Sequence, residues 1–415
     1  MSALVTIYVL GFNRLEKTKI AVECILKYTE GIDYELILID NGSTDNTLEF
    51  FKSVDHPKKK VFRIPKNEGA APAVDSVTEH FHGDYIVGIA NDAYVTQNWL
   101  SNMLACSESD DKIGMVNPRS SNVSNLQGVD LTFNSFEKMQ EKAAEYNVPD
   151  PRKWHDRLRL ITIGTLYRAD CLGLIGKPDH RFIHDFVDDD IAFRVRRAGY
   201  RTILCGDTFI HHDHDFRNDR TKPDLRQSLE HGKLFFREKY YGVDAWDDVN
   251  NYELEMMNLI DPEEKRGCVA PQILGIDVAC GTPILELKNK LRMADIFDTQ
   301  LSAFCSDAKY YVDLKTICSG KVAVDRIEYL PAHFPLPEFD YVILGRPINL
   351  YPQPERLSSE IAALLKPDGQ FLFKSFKGGS LCVSKVNMTH NVPTVATTPS
   401  LIGDDGYEVV VKRKV

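Results

Sequence analysis

Four short apolar runs in the first hundred residues each give way to a polar cluster. Residues 5–10 (VTIYVL) lead into Gly11-Phe12-Asn13-Arg14, and residues 34–39 (YELILI) into Asp40-Asn41-Gly42-Ser43-Thr44-Asp45. Residues 61–64 run on to Lys66-Asn67-Glu68-Gly69, and residues 85–90 (YIVGIA) to Asn91-Asp92. Helix patterns fill the gaps: about 15–28, a segment capped by Ser43 or Thr44, and one opened by KNEGAAPAVD. Strands alternating with helices predict an open, largely parallel α/β sheet. Ligands of such sheets bind at the carboxyl ends of the strands. Asn13, Asp40, Asn67 and Asp92 each stand at such an end, so four strands point to one crevice.

Two later stretches are also rich in chemistry. Residues 186–200, FVDDDIAFRVRRAGY, read as an amphipathic helix that opens on Asp188, Asp189 and Asp190 and closes at Gly199. Acids suit a helix start and Gly suits a stop, so capping alone explains the pattern. The functional reading is a general base on a rigid element, with carboxylates close enough to raise one another's pKa. GDTFIHHDHDF, residues 206–216, sets three histidines and two acids within five residues behind a strand-like TFI, a metal-ligating composition.

Length and charge narrow the class. A chain of 415 residues exceeds one ordinary core and predicts two domains. Hydrophobic residues at 43% and charged residues at 27% suit a soluble globular protein. A net charge of −10, with Lys58–Lys60 only a short basic run, argues against a nucleic-acid partner. Nine cysteines without a CxxC pair predict reduced thiols and a cytoplasmic location. The apolar start, residues 4–12, is too short to span a membrane, and no transmembrane segment is expected.

VTIYVLGFNRLE, LILIDNGSTDNT, KNEGAAPAVD, GDYIVGIANDAYVTQNWL and DFVDDDIAFRVRRAGY, in that order over residues 1 to about 215, resemble the family-2 glycosyltransferases of GT-A fold, in particular their rhamnosyltransferase-like branch. The resemblance implies a nucleotide-binding GT-A domain (1–216) with a UDP- or dTDP-sugar across the strand ends, touched by Phe12, Asn13, Asp40, Asn67, Gly69, Asn91 and Asp92. Asp40 would accept from the N3–H of the base. The family's Asp-x-Asp metal triplet falls on Ala90-Asn91-Asp92, whose first acid is missing, which leaves Asp92 to hold Mn²⁺ or Mg²⁺. His211 or His212 fits the family's histidine near the diphosphate, with His214 as third choice. Asp188 aligns with the catalytic base, Asp189 and Asp190 being the alternatives. Asp185 matches a frequent acid of that branch and, with Trp154 and His155, is a candidate acceptor contact.

A helix-rich acidic connector is expected over residues 217–266, and the α/β pattern then restarts. LGIDVACGTPILELKNKL and FPLPEFDYVILGRPINLYPQPERLSSEIAALLKPDGQFLF resemble class I methyltransferases that use S-adenosylmethionine, which implies a Rossmann-like domain over 267–415. Pro283 stands where that family has a second Gly of the turn, and Asp295, the nearest candidate ribose-binding acid, comes early. A degenerate scaffold is therefore weighted slightly above an active methyltransferase. The expected function is inverting transfer of a hexosyl or deoxyhexosyl group from a nucleotide sugar to a hydroxyl of a glycan, lipid-linked or protein acceptor, as in polysaccharide biosynthesis. The alternatives are a bifunctional enzyme that also methylates, and a non-catalytic nucleotide-sugar-binding protein. Homo-oligomerisation is left open.

Overall fold

The computed structural model describes residues 3–182, 185–214, 223–377, 380–388 and 411–413. The chain divides into two compact units, Met1–Ala245 and Trp246–Val415. The expected connector is thus shared: its helix belongs to the first unit and its acidic end to the second. Among the described residues, no helix is long and apolar enough to cross a membrane.

The first unit is mixed α/β. It opens with β1 (Val5–Gly11), α1 (Leu15–Tyr28), β2 (Tyr34–Asn41), α2 (Thr47–Ser53), β3 (Lys59–Ile64), α3 (Ala70–Asp75) and β4 (Tyr85–Ala90). The short β5 (Ala93–Tyr94), α4 (Trp99–Glu108), β6 (Ile113–Ser120), α5 (Phe136–Tyr146), β7 (Trp154–Asp156) and β8 (Thr165–Arg168) follow. The unit ends with α6 (Ala169–Ile175), α7 (Val187–Arg197), β9 (Arg201–His212) and α8 (Pro223–Lys239). The sheet order is β3-β2-β1-β4-β8-β6-β9-β5, with β7 paired to β9. β1 is parallel to β2 and β4, and β6 to β9, while β8 runs antiparallel between β4 and β6. The carboxyl ends of β1, β2, β4, β6 and β9 therefore share one edge with the amino end of β8.

Strand alternation sends side chains to two faces. Val5, Ile7, Val9, Leu36 and Leu38 pack with Ala21, Val22 and Ile25 of α1 and Trp99 and Met103 of α4. On the other face Ile37, Ile39 and Ile64 pack with Ala73 of α3, while Met115, Tyr167 and Leu204 pack with Ala192 and Val195 of α7. With both faces covered, β2 is buried at every position, which is why it reads as a continuous apolar run. Phe236 of α8 and Tyr240 just after it lie on Phe193 of α7, each with ring centroids 4.9 Å from it, so α8 braces the helix that carries the three acids.

The second unit contains α9 (Leu254–Asn258), β10 (Gln272–Ile276), α10 (Thr282–Met293), β11 (Gln300–Cys305), α11 (Tyr311–Ile317), β12 (Val322–Val324) and α12 (Leu330–His333). Then come β13 (Phe339–Leu344), α13 (Pro354–Leu364), β14 (Leu365–Lys377), β15 (Ser380–Asn387) and β16 (Val411–Arg413). The sheet order is β12-β11-β10-β13-β14-β15-β16. Strands β10 to β14 are mutually parallel, and β15 returns antiparallel to β14. The chain winds outward in both directions from the β10/β13 junction, where ligands of open α/β sheets sit.

Residues 380–387 form β15, in which the buried Ser384 and Lys385 interrupt the apolar alternation. Pro283 lies in the first turn of α10, where a missing N–H breaks no helical bond. Asp295, with φ 64°, turns the chain before the amino end of β11, whereas Asp307 follows the carboxyl end of that strand.

At the β10/β13 junction the chain fills its own crevice. Both oxygens of Asp277 are engaged: Oδ1 accepts from the Ser306 N–H at 2.6 Å, and Oδ2 accepts from the Tyr351 hydroxyl at 2.7 Å and the Ser306 hydroxyl at 3.1 Å. Beside them the Tyr310 hydroxyl donates to Asp248 at 2.6 Å. A ligand that used the Asp277 carboxylate would have to exchange these bonds for its own.

Candidate active site

The loops after β1, β2 and β3 are cross-linked by side chains. Asn13 and Arg14 are both left-handed, at φ 55° and 60°. Asn13 is held there because its N–H donates to Ser43 Oγ (2.9 Å) and its Oδ1 accepts from Thr44 N–H (2.8 Å). Asn41 reaches the next loop: its amide donates to Asn67 Oδ1 (3.0 Å) and the Gly69 carbonyl (3.1 Å), and its Oδ1 accepts from Glu68 N–H (3.1 Å). Gly42, at φ 82°, is required, because a Cβ would come within 2.5 Å of the Asn67 nitrogen.

Asp40 is fully buried. It caps its own turn through Ser43 N–H at 3.0 Å and pairs with Arg63. Asn91 joins strand ends, its amide donating to the Asn13 carbonyl and Thr18 Oγ1, both at 3.0 Å. Phe12 leaves 41% of its surface exposed at this edge, a free apolar face beside the polar loops.

Asp92 and two histidines at the end of β9 meet at the same edge. β5 pairs antiparallel with β9, setting Ala93 opposite His212, and Asp213 N–H donates to the Asp92 carbonyl at 2.8 Å. Period-two alternation then divides the histidines. His212 Nε2 lies 3.6 Å from Asp92 Oδ1, and His214 Nδ1 lies 3.3 Å from Asp92 Oδ2. One ligand atom from each of these three residues falls within 4.8 Å of the others. Burial alone would raise the Asp92 pKa, but the two histidines and Arg14 outweigh it and hold the carboxyl at about 2.

His211 turns the other way. Its Nδ1 meets Ser121 Oγ at 2.6 Å and its ring packs edge-on to Phe133. The structure brings Asp92, His212 and His214 together and leaves His211, one of the expected ligands, outside that group. One carboxylate and two imidazoles form a mixed donor set that suits Mn²⁺ better than Mg²⁺, which prefers oxygen alone.

The three acids of α7 meet different fates. Asp189 is buried against Arg159. Asp190 is buried between Arg194 (2.9 Å), Lys239 (2.6 Å) and the Tyr240 hydroxyl (2.7 Å). Asp188 accepts a hydrogen bond from Thr162 Oγ1, and among the described residues no cation pairs with it. Burial pushes its carboxyl up to about 6; the Thr162 bond opposes the rise and the Asp189 carboxylate adds to it. Thr162 precedes β8, whose amino end lies at the shared edge, so Asp188 faces the same side as Asp92.

The acceptor candidates separate. Trp154 is 7% exposed and donates from Nε1 to the buried Asp207 at 2.9 Å. Trp154 and His155 pair with Cys205 and Leu204, seven or eight residues up β9 from His212 and far from the site edge. The structure does not bring these two expected acceptor contacts to the site edge; Trp154 packs in the core. Asp185 lies in the turn just before α7.

Arg14, Asn41, Arg63 and Thr162 escaped the sequence reading. Arg14 and Asn41 stood inside the quoted strand-end clusters, whereas Arg63 and Thr162 carried no local signal.

Residues 6–157 match the family model described as glycosyl transferase family 2. The matched stretch includes Asp40, Asn67 and Asp92 and ends before Asp188 and the histidines. An uncharacterized glycosyltransferase of Haemophilus influenzae is 39% identical over 72 residues, 17% of this chain and 29% of that protein. The chain thus spans under a third of that relative's length. A mannosyltransferase from Pyrobaculum calidifontis, solved with GDP-Man and Mn²⁺, is 14% identical with a TM-score of 0.42, over 71% of this chain and 73% of that one. GalNAc-T7, solved with UDP, GalNAc and Mn²⁺, is 13% identical with a TM-score of 0.41, over 51% of this chain and 44% of that one. Likeness at this level bears on no function.

Proposed function

We propose that the first unit is a glycosyltransferase that binds a nucleotide sugar along the carboxyl ends of β1, β2 and β4. Asp188 is its general base. Asp92, His212 and His214 are its ligands for a divalent cation, Mn²⁺ in preference to Mg²⁺. The reading is carried by one observation: Asp188, with no cation paired to it among the described residues, lies at the same sheet edge as the cluster of Asp92, His212 and His214. The family match over residues 6–157 supplies the reaction class.

The loops around Asn13, Ser43 and Asn67 would position the donor, with Phe12 against its base. The bound cation would supply charge stabilisation for the departing diphosphate. Asp188 would take the proton of an acceptor hydroxyl as that oxygen attacks the anomeric carbon. Transfer to a hydroxyl with inversion, and a hexosyl or deoxyhexosyl donor group, remain parts of this proposal. Arg159 and the cations around Asp190 neutralise the neighbouring acids and leave Asp188 as the basic one.

The second unit is proposed as a scaffold without cofactor, supported by the engagement of Asp277 with Ser306 and Tyr351. The test of the main reading is donor turnover. With a panel of UDP-, dTDP- and GDP-sugars and Mn²⁺, the intact chain should release nucleotide diphosphate, and the Asp92→Ala variant should not. Absence of turnover across the panel, with and without acceptors, counts against it.

A further inference from the structure

Asp92 has a competitor for its carboxylate within the chain. Arg14 Nη1 lies 2.8 Å from Asp92 Oδ2, the oxygen that also faces His214. A cation bridging Asp92 Oδ2 and His214 would compete for that same oxygen. Asp92 is buried at 4% exposure, whereas the Arg14 side chain is 51% exposed. The carboxylate is therefore fixed while the guanidinium has room to leave. The backbone beneath it stays in place, because the adjoining Asn13 is tied to Ser43 and Thr44 and Leu15 N–H donates to Asp45 at 3.1 Å. Like charges sharing one carboxylate oxygen repel, so cation entry and the Arg14–Asp92 pair oppose each other.

We propose that Arg14 is an internal counter-ion that occupies Asp92 until the divalent cation arrives, and is then transferred to the donor's diphosphate. The inference rests on the glycosyltransferase reading above. A released guanidinium at the end of β1 stands beside the loops proposed to carry the donor. Its planar fork of N–H groups suits phosphate oxygens in a way that a point charge does not. The device makes cation binding and diphosphate binding cooperative: without the nucleotide the cation must displace Arg14 into water, and with it the displaced charge finds an anion.

Two effects of opposite sign test the idea in the full-length chain. Electron paramagnetic resonance titration of Mn²⁺ without nucleotide should show Arg14→Gln binding about five- to tenfold more tightly than wild type, because the competitor is gone. Calorimetry of UDP, dTDP and GDP at saturating Mn²⁺ should show the best-bound of them about tenfold weaker in the same variant. Arg14→Lys, which keeps the charge and loses the fork, should retain wild-type Mn²⁺ affinity and still weaken the diphosphate. A merely structural Arg14 would move both affinities in one direction or neither. Unchanged or weaker Mn²⁺ binding by Arg14→Gln overturns the inference, and does so alone if wild type binds Mn²⁺ and nucleotide through Asp92. If wild type binds neither, the glycosyltransferase reading falls with it.

Discussion

A carboxyl whose burial holds its pKa near 6 is costly to the fold at neutral pH. The ordinary value is 3.8, so between about pH 4 and 6 the native state holds a proton at Asp188 that the unfolded chain has lost. Stability contributed at this site therefore falls as pH rises through that window and stays low above it. Asp188→Asn removes the charge at nearly constant shape. It should raise stability at pH 7.5 by on the order of 2 kcal/mol and leave it unchanged near pH 3.5, read by chemical denaturation. The same substitution should keep donor affinity and cut transfer by about 10²- to 10⁴-fold. In the wild type, transfer should fall about tenfold per pH unit below 6, as the base becomes protonated. Near wild-type transfer by Asp188→Asn would remove it as the base. The histidines offer a second contrast at this scale. His214→Ala should weaken Mn²⁺ binding tenfold or more, while His211→Ala, directed at Ser121, should leave it near wild type.

β9 carries the argument at the scale of the element. It buries both faces for most of its length, becomes half-buried at His211, and by alternation sends His212 and His214 to one side and His211 and Asp213 to the other. Lys17 pairs with Asp213 at 3.0 Å and the Tyr94 hydroxyl donates to it at 2.9 Å, which holds the intervening residue away from the metal side. Toward its start, β9 pairs with β7 and holds Trp154 in the core. Trp154→Phe should therefore lower stability by about 1 kcal/mol, since Asp207 loses the indole N–H but keeps Asp150 N–H at 2.8 Å. Its acceptor KM should not move, and a large rise there would restore Trp154 to the site. β1, β2 and β4 were legible because alternating elements leave a regular pattern, and so were the loops that follow them. The partners of Asp188 were not, because Thr162, Arg159 and Lys239 approach it and its neighbours from distant parts of the chain. The choice among His211, His212 and His214 was open for a different reason: the register of β9 against β5 decides it.

The whole molecule joins a family-matched unit to a second α/β unit, and all the proposed donor-site residues lie in the first. In the second unit, at the junction where a cofactor would sit, both oxygens of Asp277 are bonded to Ser306 and Tyr351. Calorimetric titration of the intact chain with S-adenosylmethionine should give no heat up to millimolar cofactor; micromolar binding would show that these contacts open readily. The central claim concerns the first unit, and one measurement reaches it most directly. Nucleotide diphosphate is titrated into the intact wild type and into Asp92→Ala, each with Mn²⁺ and with EDTA. The account predicts that Mn²⁺ tightens wild-type binding at least tenfold and that Asp92→Ala shows the weak, EDTA-like affinity in both conditions. Equal affinity with and without Mn²⁺ in the wild type, or a Mn²⁺ effect that survives in Asp92→Ala, would contradict it.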